Sequence, residues 1–333
     1  MKKRAVATAA LAMKAVRDVG AEVAPRGPLR MCGATAPLEE LRRALLAADG
    51  TDATAVDIFA ARRLRPDDAE PLGRAAVVVY GAEVVASLDD ATRADLEVVG
   101  RAGRPLVAIL EGVDLPDEAL LEAARVPGVH PMSVLPSKRG RFPVRKAMRL
   151  LAERAGSAGP ALAARLPAFR PYVVQRLIEM GSRRNGLVAT AVWIPGADLP
   201  ILAAVQLRMV LQIGACYGVE LSPDRAVELV GVLGAGFGFR TVAREMLDFV
   251  PVAGWAIQGG VAYGGTRALG RAADEYFARG APADLTKVRA AAERLRGKKD
   301  EAAEPGAAAG KKASKPARGV TRKSTTPRKA GGS

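Results

Sequence analysis

Between residues 28 and 160 the chain alternates short apolar runs with longer stretches in which apolar positions recur at helical spacing. The runs Pro28–Cys32, Ala55–Phe59, Ala75–Tyr80, Pro105–Leu110 and His130–Leu135 read as strands, and the segments near 37–48, 89–102, 116–125 and 141–155 as helices. Val77-Val78-Val79-Tyr80 is apolar on both faces, as expected of a strand covered by helices on each side. This alternation predicts a mostly parallel, doubly wound sheet, whose ligands bind at the carboxyl ends of the strands. After Arg154 the strand signals stop. Residues 160–281 read as helices rich in Ala, Gly, Val and Leu. Asp198 can cap one that carries Pro200 in its first turn and closes at Gly218, and Ser222-Pro223-Asp224 opens another. A last amphipathic helix covers about 283–296, and residues 4–19 predict an amphipathic helix at the start of the chain. Lys14, Arg17 and Asp18 interrupt that first stretch too early for the apolar core of a signal peptide.

Composition changes this picture in three places. Only 4% of the residues are aromatic, so the core must be built from Ala, Val, Leu and Ile. The net charge is +15, but from Arg296 to Ser333 eleven Lys or Arg stand against three Asp or Glu. The tail therefore holds +8, and the rest reads as a mildly basic body. Beyond residue 297, Ala, Lys, Gly, Pro, Ser and Thr dominate without apolar periodicity, which predicts disorder. Cys32 and Cys216 are the only cysteines and His130 the only histidine, which leaves no framework for disulfides, a His-based metal cluster or an ordinary Ser-His dyad. Nothing in the pattern calls for a cofactor.

Strand Pro28–Cys32, then Gly33-Ala34-Thr35-Ala36 and a helix, has the layout of a phosphate-binding loop. A working loop needs G-x-x-x-x-G-K-[ST]: glycines so that backbone amides wrap the phosphates, a lysine to balance charge, a hydroxyl for magnesium. After Gly33 this chain has Ala34, Thr35, Ala36, Pro37, Leu38, Glu39 and Glu40, with neither the second glycine nor the lysine. Glu39 and Glu40 suit the helix dipole but repel phosphate. The order of elements over 28–155 resembles the GTPase domain of the Era-like superfamily. Where that family has Asp-x-x-Gly, this chain has Asp57-Ile58-Phe59-Ala60; where it has Asn-Lys-x-Asp, it has Glu111-Gly112-Val113-Asp114; where it has Ser-Ala, it has Ser133-Val134. The resemblance implies a nucleotide site reduced to the vestigial positions Gly33, Asp57, Asp114 and Ser133, on strands that serve as a scaffold. The alternative for Asp57 and Asp114 is simply polar residues ending strands.

The stretch Ile194–Gly280 carries Ile194-Pro195-Gly196-Ala197-Asp198, Gln206, Met209, Ile213 and Tyr217-Gly218, then Pro251, Gly254, Thr266, Gly270, Tyr276-Phe277 and Gly280. In order and spacing it resembles the uncharacterised YcjF-type domain, found alone in bacterial membrane proteins and appended to Era-like GTPases. The resemblance implies association with the bacterial inner membrane and no known reaction. Phe249–Thr266 is uncharged for 18 residues, the lower edge of a spanning length, but contains Pro251, Gln258 and five glycines. Gly260 and Gly264, like Gly234 and Gly238, form small-xxx-small pairs that allow helices to approach closely. Leu199–Gly218 contains Arg208, which with Gln212 can share a polar face, Asp198 serving as cap or partner. Three readings follow: a helical hairpin dipping into or crossing a membrane, a bundle packed on itself, or helices buried against another protein.

The expected organisation is an N-terminal helix and linker (1–27), a degenerate GTPase-like α/β domain (28–158), a helical domain associated with a membrane (159–296) and a disordered basic tail (297–333). The expected function is that of a non-catalytic adaptor on the cytoplasmic face of the inner membrane, with anionic lipids and an unidentified protein as partners and homo-oligomers possible. The clusters Lys298-Lys299, Lys311-Lys312 and Arg322-Lys323 of the tail attract any polyanion without reading sequence, and anionic lipid headgroups are their expected partner beside a purely solvated tail; the alternatives for the whole chain are a GTPase-related nucleotide switch and a nucleic-acid-binding protein acting through the tail.

Overall fold

A computed structural model describes residues 2–23, 27–33, 35–60, 63–85, 87–112, 117–130, 133–191, 199–220 and 254–280. Five parallel strands form one sheet in the order β2-β1-β3-β4-β5: β1 Leu29–Cys32, β2 Val56–Ala60, β3 Val77–Glu83, β4 Leu106–Gly112 and β5 Val134–Lys138. The chain turns from one side of the sheet to the other between β1 and β3, so the topological switch point lies at their carboxyl ends. β3 and β4 are the longest strands and sit away from the edges. Their valines, alanines and leucines are buried on both faces.

Helices cover both faces. One is covered by Leu72 of α3 (Ala69–Leu72), Leu96, Val98 and Val99 of α4 (Asp90–Arg101) and Ala119 and Ala123 of α5 (Asp117–Arg125), packed on Cys32, Val78, Tyr80, Ala108 and Leu110. α4 starts where Asp89 accepts a hydrogen bond from the Thr92 amide at 2.7 Å, with Asp90 in the first turn and Arg101 in the last. The other face receives α2 (Ala36–Leu45) and α6 (Val144–Ala155) through Leu38, Leu41, Leu45, Met148 and Leu151. The buried cluster on this face does not stop at the sheet. It continues into α1 (Lys2–Val23) through Val16 and Val19, and into α7 (Gly159–Arg165), α8 (Arg170–Ala191), α9 (Leu199–Cys216) and α10 (Gly254–Ala278) through Leu162, Val173, Met209 and Phe277. Each fully buried Leu or Val in it contributes roughly 1.5–3 kcal/mol. α7 is further tied to the loop after α2: Arg165 donates to Asp52 at 2.7 Å and to the Thr54 hydroxyl at 2.8 Å, while the Asp52 amide donates to the Arg165 carbonyl at 2.9 Å.

The sheet matches the strand pattern with one displacement. The fifth strand begins four residues later than His130 and runs through Pro136. A proline inside a run argues against a strand, but β5 is an edge strand, where a missing ladder donor is tolerated. No described helix is long and apolar enough to cross a membrane. This corrects the expectation of a transmembrane helix over the described residues. α10 carries Arg267, Arg271, Asp274 and Glu275 after its uncharged start, and α9 is interrupted by Arg208. Residues 249–253, the pair Gly234 and Gly238, the helix expected from Ser222, the last helix near 283–296 and the basic tail lie outside the described residues.

Candidate functional site

The place to look for a ligand is the crevice at the carboxyl ends of β1 and β3. Its walls are set by two glycines. Gly33, with φ of 102°, lies so close to β3 that a Cβ on it would stand 2.2 Å from the Gly81 carbonyl oxygen. Gly81 is in turn covered by α2: a Cβ there would meet the Leu38 Cγ and the Thr35 Oγ1, each at 2.6 Å. Only residues 33–35 connect β1 to α2, too few to curl around a phosphate. Pro37 and Leu38 are buried in the first turn, and Glu39 is the acidic residue there. Where a nucleotide loop has an open cradle of amides, this crevice is filled by Leu38 and by backbone against backbone.

Polar groups nevertheless collect at this end. Thr35 is the N-cap of α2 but makes no side-chain cap hydrogen bond; its Oγ1 is buried without a partner among the described residues. Glu83, Glu111 and Ser137 lie in register across β3, β4 and β5. Glu83 is ion-paired with Arg139, and Glu111 and Ser137 are buried, the Ser137 hydroxyl also unpartnered among the described residues. Cys32, at the end of β1, is pushed up to about 12 by burial, and Cys216, likewise buried, is raised further. Neither thiol is a nucleophile near neutral pH.

The other vestigial positions are not brought to this crevice. Asp57 is the second residue of β2, paired in register with Arg30, whose Nε lies 3.3 Å from its carboxylate. Arg30 also stacks over Phe59, 5.1 Å from the ring centre. The aspartate thus stands within a strand, engaged by an arginine, rather than at a strand's end. Ser133 precedes β5 instead of ending it. It is buried at the opposite, amino edge of the sheet, where its amide donates to the His130 carbonyl at 2.8 Å. There it lines a cleft of about 280 Å³ with Arg104, His130, Glu153 and Arg154. Ser137 takes the place near the carboxyl end that Ser133 was expected to hold. Asp114 lies outside the described residues. On the far face of the sheet, Asp95 is buried and gathers the Tyr80 hydroxyl at 3.1 Å, the Leu64 amide at 2.8 Å and Arg63 at 3.2 Å. The tyrosine is raised by burial first and by that carboxylate second.

The helical region is organised by a polar knot at the junction of α8, α9 and α10. The Asn185 Nδ2 donates to the Thr266 hydroxyl oxygen at 2.8 Å, and the Gln206 Nε2 donates to the same oxygen at 3.1 Å. Asn185, Ser182 and Thr266 are fully buried. At the far end of the same helices Tyr217 donates to Asp274 at 2.6 Å and stacks on Phe277, with Arg170 over its ring at 4.5 Å. Gly218 and Gly280, both at positive φ, follow α9 and α10. The described residues that carry the YcjF-type pattern are therefore those that lock three helices together. Arg208 and Gln212 do share a polar face, and their partner is Glu22 of α1: Arg208 forms an ion pair with it and Gln212 donates to it at 3.5 Å. Asp198 and Pro251 lie outside the described residues, and Gly254 is the first residue of α10.

The close approach between α8 and α10 falls one residue away from the small-xxx-small pair read in the sequence. Gly259 lies against Gly186, where a Cβ would stand 2.5 Å from the Thr190 Cγ2 and 3.1 Å from the Gly186 carbonyl oxygen. Gly260 and Gly264 are exposed, with nothing among the described residues within 4 Å. Gly270, packed on Ile178, is the second contact. Among the described residues no group of His, Cys, Asp and Glu could hold a metal ion.

Comparison with known proteins gives one family. The family described as Domain of unknown function (DUF697) matches residues 157–301, a segment that opens at the end of α6 and includes α7 to α10. The match agrees with a GTPase-associated, uncharacterised domain family for this region. It does not extend to residues 28–156, whose likeness to Era-like GTPases rests on the order of elements. No curated protein matches the chain.

Proposed function

We propose that this protein is a non-catalytic adaptor: an α/β scaffold of GTPase-like design without a nucleotide-binding role, joined to a helical domain that associates with the cytoplasmic face of the bacterial inner membrane. The observation that carries the first part is the filled crevice between Gly33 and Gly81, with Leu38 packed against Gly81. What supports the second part is the resemblance of Ile194–Gly280, inside the segment 157–301 that matches the family described as Domain of unknown function (DUF697), to the YcjF-type domain of bacterial membrane proteins. The attachment in this reading is peripheral, through charge and surface contacts, in keeping with described helices that are not long and apolar enough to cross a membrane. The scaffold's task is to present a surface to a protein partner.

Thermal unfolding with and without GTP, GDP or ATP and magnesium tests the scaffold reading. A bound nucleotide at a hundred times its Kd adds about 2.7 kcal/mol, which raises the midpoint by several degrees; the adaptor shows no change. A nucleotide-dependent rise would replace the adaptor with a nucleotide switch. Washing cell membranes with high salt tests the attachment: the adaptor is released, and a chain that stays with the membrane is held by something other than charge.

A further inference from the structure

The charge of the body is concentrated, not spread. Residues 1–295 carry +7, and +6 of this lies in the twelve residues 138–149, which hold Lys138, Arg139, Arg141, Arg145, Lys146 and Arg149 and no Asp or Glu. The fold gathers all six on one exposed corner. β5 ends at Lys138, a tight turn closes as the Arg141 amide donates to the Lys138 carbonyl at 2.9 Å, and α6 begins three residues later. All six side chains are exposed, while Ala147, Met148, Leu151 and Ala152 hold the opposite side of α6 in the core. Arg139 is paired with Glu83; the other five form no ion pair among the described residues. Arg145 and Lys146 stand in the first turn of a helix that has no acid there, where they oppose the helix dipole and cost stability. Positive side chains kept at the positive end of a helix are placed for an anion outside the protein.

We infer that the corner formed by residues 138–149 is a docking surface for an anionic membrane, the means by which the adaptor proposed above is held at the bilayer. The inference rests on that reading. Cations near an anionic lipid surface contribute together when they reach it together, and the six here are held within twelve residues of a folded turn and helix start, whereas the tail cations are spread along the sequence. Nucleic acid is the weaker fit. The one aromatic residue in the segment, Phe142, is half-buried against the core and offers no ring for base stacking.

The full-length protein is sedimented with vesicles of phosphatidylcholine alone and of phosphatidylcholine with phosphatidylglycerol, in 0.1 M and 1 M salt, between which the screening length falls from about 10 Å to about 3 Å. The parent binds only the vesicles that contain phosphatidylglycerol, and only at the lower salt. Replacing Arg141, Arg145, Lys146 and Arg149 by Gln weakens binding by roughly five-fold per charge, several hundred-fold together. Replacing four tail residues, Lys311, Lys312, Arg322 and Lys323, by Gln removes the same charge and has a much smaller effect. If the two quadruple variants lose binding equally, or the first binds like the parent, the corner is not the docking surface, although membrane association stands. If the parent binds neither vesicle, the membrane reading falls as well. If the parent prefers a duplex or single-stranded oligonucleotide and the four corner residues govern that binding, the partner is nucleic acid and the inference is overturned. Should the corner variant melt below the parent, an environment-sensitive dye on Lys146→Cys supplies the readout, since Cys32 and Cys216 are buried. Its emission shifts to the blue on anionic vesicles alone if the corner meets the bilayer.

Discussion

Substituting Gly33 by Ala separates a glycine that serves a ligand from one that serves the fold. In a phosphate loop the glycine leaves room for the ligand, and in the absence of that ligand a methyl group meets mostly solvent. Here the methyl would stand 2.2 Å from the Gly81 carbonyl oxygen, a backbone atom held in the sheet that cannot rotate away. The left-handed φ of 102° adds its own strain, about 1–2 kcal/mol for a residue with a Cβ. Overpacking adds about 1–3 kcal/mol. Gly50 supplies the control, because its φ is 72° but nothing lies within 4 Å of a Cβ there. Gly50→Ala therefore carries the backbone strain alone, offset by about 0.4–1 kcal/mol from a less flexible unfolded chain. Urea unfolding followed by far-ultraviolet circular dichroism measures both. Strain and offset are common to both, so Gly33→Ala should lose about 1–3 kcal/mol more than Gly50→Ala, whose own loss is at most about 1–2 kcal/mol. Equal losses, or a neutral Gly33→Ala, would show that the crevice is open in solution and would remove the main support for the scaffold reading.

Three further outcomes follow from particular contacts. Asp52 is held down to about 2, from an ordinary 3.8, by the Thr54 hydroxyl first and by Arg165 next, so its contribution is present above the ordinary carboxylate value and is lost as the pH falls through the folded one. Asp52→Asn should flatten the fall in urea midpoint between about pH 4 and about pH 2, and an unchanged acid limb would refute the assignment. Thr266→Val removes the oxygen that accepts from Asn185 and Gln206, leaving the buried Asn185 amide only its 3.4 Å bond to the Leu202 carbonyl, at a loss of about 1–3 kcal/mol, and combining it with Asn185→Leu should cost less than the sum of the two. Gly260→Ala should stabilise α10 by about 0.5–1 kcal/mol through helix propensity, whereas Gly259→Ala should destabilise it because the Thr190 methyl and the Gly186 carbonyl stand in the way; the reverse order would place the packing face where the sequence pattern put it.

The parallel sheet was legible because its signals are local: buried apolar runs, helical periodicity between them and a proline or aspartate where helices start. What was not legible depended on partners far along the chain. The missing second glycine and lysine after Gly33 say that a phosphate loop is absent, but not what fills the space. That depends on Gly81, which carries no sign in sequence of facing β1. Pro136 hid the true register of β5, because an edge strand is defined by having no neighbour beyond it, and the strand expected over His130–Leu135 placed Ser133 near the carboxyl end of the sheet instead of the amino end. In α10 glycine and alanine occur on every side, so periodicity could not tell Gly259 from Gly260.

Arg208 shows the same limit in the helical region, and also why α9 is not a membrane span. An arginine within an apolar helix looks like a penalty for membrane insertion or a residue in need of Asp198 nearby. Its partner, Glu22, is 186 residues away and belongs to a helix that packs along α9. With Val16 and Val19 buried beside that pair, α1 covers part of the face whose hydrophobicity suggested a lipid environment. Apolar content alone does not distinguish a helix facing lipid from one facing its own chain. The Arg208–Glu22 pair, partly exposed on both members, needs neither a bilayer nor a buried cavity, and a cluster of cations without ion-pair partners among the described residues lies elsewhere, at the corner of β5 and α6. In the proposed attachment the bilayer meets that corner, while Val173, Met209 and Phe277 keep the described faces of α8, α9 and α10 packed on one another.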